Sequence, residues 1–166
     1  QHYEPPVGMP EVKDAVQIFV VRFDEDNALE FLMQIRKASN LNPPSTHGPP
    51  GGKIEAQECT LLAAVRELKE ETGINAKPDQ LQRCWPEGPV PALGKIGGTW
   101  RLTDFVFITD PYGGTPQVPL GERSKIDRYQ WVRQDQLQYI DANARFDRLL
   151  ERAEAAAQKA LPAADD

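Results

Sequence analysis

Cysteine and methionine are scarce, with two of each in 166 residues. Cys59 and Cys84 can form at most one bridge, so no disulfide framework holds the fold and a reducing compartment suits it. Long apolar runs are missing too. No segment approaches the ~18 consecutive apolar residues of a membrane-spanning helix, and the polar opening QHYEPPVGMP does not read as a secretory signal. Because the chain begins at Gln1 rather than Met, removal of an upstream segment by processing stays open, with the cytoplasm as the default location. Basic residues are in deficit as well: 19 Lys and Arg face 25 Asp and Glu, for a net charge of −6. Nucleic-acid-binding surfaces announce themselves as clustered Lys and Arg, so this balance argues against a nucleic acid partner. Any phosphate compound bound here needs something other than bulk positive charge to neutralise it.

What is present suits one domain with a proper core, at 40% hydrophobic content. Residues 1–10 are Pro-rich and read as an irregular lead-in, residues 11–160 as the domain, and residues 161–166 as a frayed tail. Val12 to Phe23, rich in β-branched and aromatic residues, predicts a buried strand, and Leu29 to Arg36 returns as a second strand to make a hairpin. Lys37 to Gly52 reads as loop. Glu58 to Thr72 is the clearest helix, stopped by Gly73 where a left-handed cap is wanted. A proline-rich segment follows, with at most a short strand near Leu81 to Trp85; further strands are expected at Thr99 to Thr109 and Tyr129 to Arg133, and a closing helix at Ala142 to Ala160. Strand hairpins with helices inserted between them predict an α/β fold in which helices pack on the faces of a mixed sheet.

The chemistry concentrates in GGKIEAQECTLLAAVRELKEETGI, Gly51 to Ile74. On a helical wheel Leu61, Ala64, Val65 and Leu68 form the stripe that buries against a sheet, while Glu67, Glu70 and Glu71 share an adjacent stripe at i, i+3 and i+4. Each like-charged pair at that spacing costs roughly 0.2–0.5 kcal/mol in an isolated helix. A divalent cation removes the conflict: Mg²⁺ takes oxygen ligands, is held by one or two carboxylates, and completes its shell with waters and substrate phosphates. The same ion would supply the positive charge that an acidic protein lacks for an anionic substrate. Arg66 is placed to orient the carboxylates or to contact phosphate, and Gly51 and Gly52 let backbone approach metal and ligand closely. A plain solvated acidic face is the competing reading of three glutamates by themselves.

Gly52, five residues, Glu58, seven residues, then Arg66-Glu67-Leu68-Lys69-Glu70-Glu71-Thr72-Gly73-Ile74 matches without a gap the motif Gx5Ex7REUxEExGU, with U aliphatic. The chain therefore resembles the Nudix (MutT-like) hydrolases. That resemblance implies a Nudix fold, an α/β/α sandwich, and metal-dependent hydrolysis of a diphosphate linkage in a nucleoside diphosphate joined to another moiety, such as a nucleoside triphosphate or an ADP-ribose-like compound. It implies Mg²⁺ or Mn²⁺ held by Glu67 and Glu71 directly, by Glu70 through water or with Glu70 as base, and by the Gly51 carbonyl, with Glu58, Gly52 and Arg66 in support. A further carboxylate from outside the motif is expected, and Glu122 stands in the right place, with Asp127 as understudy. Phe19, Gln34, Arg36, Lys53 and Trp100 are the candidate substrate contacts, and Lys37 and Arg123 further candidate phosphate contacts, against plain core or surface roles. The tyrosine of dinucleoside polyphosphate hydrolases is missing at Val90 and Pro91. Rival readings are a silent Nudix-fold nucleotide sensor and a hydrolase of capped RNA or inositol pyrophosphates. Oligomerisation is left open.

Overall fold

The computed structural model describes residues 12–26, 28–37, 47–84, 90–93, 99–109, 115–136 and 144–160. Strand β1 (Val12–Phe23) is the centre of the sheet. Its apolar run is continuous because both faces are covered: Val16, Ile18 and Val20 point to one cluster, and Phe19, Val21 and Phe23 to another. Asp24 turns the chain, its Oδ1 accepting the amides of Asp26 (2.9 Å) and Ala28 (2.8 Å), and β2 (Leu29–Arg36) returns antiparallel. The expected hairpin is present.

Helix α1 (Thr60–Thr72) packs on the face that carries Val16, Ile18 and Val20, through Ala63, Ala64 and Leu68. Gly73 ends it at φ 77°, its N–H donating to the Lys69 carbonyl at 2.8 Å. The helix starts two residues later than the sequence predicts, because Glu58 is drawn into an ion pair with Arg66 instead of entering the first turn. Leu61 and Val65 are only partly buried, and Ala63 takes the deeper place that the wheel assigned to them.

Two short strands arise where a loop is expected. They are β3 (His47–Gly48), paired with β2, and β4 (Gly51–Lys53), antiparallel to β1 with Val16 opposite Gly52 and Gln17 opposite Gly51. Glycine carries no strand signature in its side chain, so only the pairing reveals them. Strands β5 (Leu81–Arg83) and β6 (Val90–Leu93) both flank β7 (Thr99–Ile108), which runs parallel to β1 over ten residue pairs. Pro91 is compatible with β6 because, among the described residues, that strand has β7 as its one neighbour. Strand β8 (Ile126–Arg133) begins three residues earlier than expected and pairs antiparallel with β2, Gln34 opposite Tyr129. Helix α2 (Ala144–Ala160) places Leu150, Ala153 and Ala157 against Phe19, Phe31 and Met33, on the face opposite α1. The result is a mixed sheet between two helices. Among the described residues no helix is long and apolar enough to cross a membrane.

Ala153 has no exposed surface where α2 meets the sheet. Ala153→Leu should cost about 1–3 kcal/mol by overpacking, seen as a lower urea midpoint with an unchanged slope.

Candidate active site

Arg66, in the middle of α1, is bonded through every N–H that a guanidinium owns. Its Nε and Nη2 reach the two Glu58 oxygens at 2.7 and 2.8 Å, a bidentate pair. Nη1 donates to Glu67 at 2.9 Å and to Glu70 at 3.1 Å, and Nη2 also donates to the Lys53 carbonyl at 3.1 Å. With all five donors taken, Arg66 orients carboxylates and has none left for phosphate. Its hydrogen bonds lower the Glu58 carboxyl to about 2, and Glu58 first and Glu67 second hold the Arg66 guanidinium well above its ordinary value.

Glu71 lies one turn beyond Glu67 and deeper in the structure. Its Oε2 accepts two neutral donors, the Gly51 amide at 2.8 Å and Gln34 Nε2 at 2.7 Å. Gln34 is 3% exposed and also donates to the Tyr129 hydroxyl at 3.3 Å, while that hydroxyl donates to the Glu71 main-chain carbonyl. The cross-strand pairing of Gln34 with Tyr129 thus sets both groups against the end of α1. Burial pushes Glu71 up to about 7; the Gly51 and Gln34 bonds oppose this, and Glu67 and Glu122 add to it. Glu67 is raised for the same first reason, burial, relieved by Arg66 and aggravated by Glu70 and Glu122. Burial likewise raises the Tyr129 phenol, which keeps its proton as a donor.

The backbone beside these carboxylates leaves no room for side chains. A Cβ on Gly52 would stand 2.3 Å from Glu67 Cδ, and one on Gly51 would stand 2.2 Å from the Val16 carbonyl oxygen. Gly52 therefore makes space for a carboxylate, whereas Gly51 makes space for the β1–β4 pairing.

Of the residues singled out in the sequence, Glu122 is close enough to Glu67 and Glu71 to help raise both, and Glu58, Arg66, Gly51 and Gly52 frame the pair. Glu122 sits in a single 3-10 turn, Leu120–Glu122. Glu70 is the outermost carboxylate of the three on α1, its side chain 55% exposed. Phe19 is not a substrate contact: it is 1% exposed and packs edge-on to Phe31 at 6.2 Å, on the α2 side of the sheet. Gln34 is near the site, but its amide is spent on Glu71 and Tyr129 rather than directed outward. Lys53 is exposed and contributes its carbonyl to Arg66. The side chains of Arg36 and Trp100 lie outside the described residues. Tyr129 was legible only as the start of a strand, because its role depends on the β2–β8 register.

These oxygens are hard donors of the kind that hold Mg²⁺ or Mn²⁺. Among the described residues no three acidic, His or Cys side chains converge as a ready cage. The donor set still fits a Mg²⁺-type ion, which needs only one or two carboxylates beside waters and phosphate oxygens. Such an ion would offset both the burial that chiefly raises Glu71 and the smaller repulsion from Glu67 and Glu122.

The two glycines separate stability from function. Gly51→Ala should destabilise the protein through the β1–β4 backbone, read as a lower melting temperature. Gly52→Ala should fold with a smaller loss and show its main defect in divalent-cation affinity, because Glu67 must move. Titration gives a second check. Glu71 has a folded-state value of about 7 against an ordinary 4.5, so its contribution to stability is fully present below about 4.5 and lost as pH rises through 7. Glu58, lowered to about 2, contributes above its ordinary 4.5 and loses this as pH falls toward 2. In excess chelator, Glu71→Gln should therefore melt higher than the unaltered protein at pH 8, with the gap closing toward pH 4.5 in a fluorimetric melting series.

The NUDIX domain family matches residues 13–153. Over 56 residues, 33% of this chain, the sequence is 45% identical to the m7GpppN-mRNA hydrolase NUDT17 of Danio rerio. The chain spans less than a fifth of the length of the curated relatives it matches, 19% and 18%. Among solved structures, a binary complex of the C. elegans Ap4A hydrolase is similar over 89% of this chain and 98% of its own, with a TM-score of 0.66 at 20% identity. The NUDIX domain of Shewanella oneidensis NrtR complexed with ADP ribose is similar over 95% of this chain and 94% of its own, with a TM-score of 0.64 at 16% identity. At those identities the structural likeness speaks for the fold, and the family match, which covers most of the chain, speaks for descent: this protein belongs to the NUDIX domain family.

Proposed function

We propose that the protein is a divalent-metal-dependent pyrophosphohydrolase that cuts a phosphoanhydride in a nucleoside diphosphate linked to another moiety. The observation that carries this reading is Glu71, a carboxylate buried beside Glu67 and within the field of Glu122, yet supplied only with neutral donors. A cation is the missing partner. Hydrolases among the matched relatives and structures support the reaction class, and the nucleotide ligands in the names of the matched structures support a nucleotide substrate.

In this reading Glu67, Glu70, Glu71 and the Gly51 carbonyl, with Glu122 from the turn before β8, would hold Mg²⁺ or Mn²⁺. When bound, the ion supplies charge neutralisation at the phosphate oxygens and lowers the pKa of a water. Arg66 fixes the orientation of Glu67 and Glu70, and Glu58 anchors Arg66. Gln34 and Tyr129 hold Glu71 by its carboxylate and its carbonyl. Glu70, the most exposed of the helix carboxylates, takes the proton as a water oxygen bonds to phosphorus. The bridging P–O bond breaks, and the leaving phosphate keeps the electron pair.

Glu67→Gln and Glu71→Gln should each lower turnover at least about 100-fold while melting cooperatively. The assay is phosphate or pyrophosphate release from a panel of nucleoside triphosphates, ADP-ribose, dinucleoside polyphosphates, capped RNA and inositol pyrophosphates with Mg²⁺ and with Mn²⁺. Full turnover in either variant, or in excess chelator, would sink the assignment.

A further inference from the structure

Beyond the carboxylates lies a cleft of about 480 Å³ whose wall carries Lys37, Arg123 and Arg128, with Asp127 as its one acidic side chain. That volume falls within the range of pockets that take a small ligand. Tyr129, whose hydroxyl is bonded to the Glu71 carbonyl, is part of the lining, and so is Arg123, the neighbour of Glu122, so the cleft abuts the carboxylate cluster. The other components are tied together by backbone: the Lys37 amide donates to the Lys125 carbonyl at 2.9 Å, and the Lys125 amide donates to Glu122 at 3.0 Å. These bonds hold the end of β2 against the turn that carries Glu122 and Arg123.

The charge of this wall opposes that of the molecule. Arg128 is paired with Asp127 at 2.8 Å, but among the described residues neither the Lys37 ammonium nor the Arg123 guanidinium is in an ion pair. Two cations without an ion-pair partner among the described residues thus line a concave surface on a protein of net charge −6. Ile126 and Val118 give the same cleft apolar wall. Cations that line one cleft and have no carboxylate partner among the described residues suit the binding of phosphate.

We infer that this cleft binds a phosphate group of the substrate that lies beyond the two flanking the cut anhydride. The preferred substrate class is then a nucleotide with at least three phosphates in its anionic arm, in preference to a diphosphate ending in a neutral sugar. The assignment of this phosphate to the substrate of the carboxylate site rests on the hydrolase reading; the phosphate affinity of the cleft does not.

The test is calorimetric titration with inorganic tripolyphosphate in excess chelator, where the carboxylates have no metal through which to bind it. The unaltered protein should bind, with an affinity that falls as NaCl is added. The double variant K37Q/R123Q should bind about tenfold more weakly or worse. Lys159→Gln, an exposed charge on α2, should bind as the unaltered protein does. Circular dichroism and melting of the double variant confirm that it folds. No binding by the unaltered protein, equal binding by the double variant, or an equal loss in Lys159→Gln would each overturn the inference. Absence of turnover on every substrate would defeat the hydrolase reading while leaving this titration to decide the cleft.

Discussion

The structure is organised around a shortage of positive charge. Glu58, Glu67, Glu70 and Glu71 are gathered beside one another, and the sole guanidinium among them, Arg66, has its five N–H groups divided among Glu58, Glu67, Glu70 and the Lys53 carbonyl. Nothing remains for Glu71. It is the most deeply placed member of the set, and its two partners are amides, which stabilise a carboxylate less than a full positive charge does. Burial then outweighs those bonds and lifts it to about 7. In the proposed function, such a group would exchange its proton for a metal ion.

The fold supplies this arrangement with few parts. Pairing of β4 with β1 brings the Gly51 amide under Glu71 and the bare Cα of Gly52 against Glu67. Pairing of β8 with β2 sets Gln34 opposite Tyr129, and both then reach the C-terminal end of α1. Helix α1 itself is fixed by Ala63, Ala64 and Leu68 on the sheet and by the left-handed Gly73 at its end. The carboxylates are therefore aimed from a helix whose position its packing on the sheet determines. The α2 face plays no part in this: its cluster, Phe19 and Phe31 included, is packing.

How far the sequence alone leads can be judged residue by residue. Strands β1 and β2 and the glycine stop of α1 were legible because they rest on local composition and on a backbone conformation that glycine favours. The motif likewise marked Glu67, Glu70, Glu71, Glu58 and Arg66. Strands β3 and β4 were not legible, since glycine has no side chain to alternate, and β6 was hidden among prolines. Phe19 misled because a strand buried on both faces is apolar throughout, and composition does not say which face meets a ligand. Gln34 offered a hint, a polar residue inside the run LEFLMQIR, but its partner Tyr129 stands 95 residues away and appears only once the register is known. The division of Arg66 among five acceptors was equally out of reach, because spacing places it near the carboxylates without assigning its hydrogen bonds.

The most direct test of this electrostatic picture is the proton inventory of metal binding. Mn²⁺ titrated calorimetrically at pH 6.5, in two buffers with different heats of ionisation, reports the protons released per ion bound. Glu71, at about 7, should release a substantial fraction of a proton in the unaltered protein, and Glu71→Gln should bind more weakly and release almost none. Identical heats in both buffers for the unaltered protein, or undiminished Mn²⁺ affinity in Glu71→Gln, would contradict it.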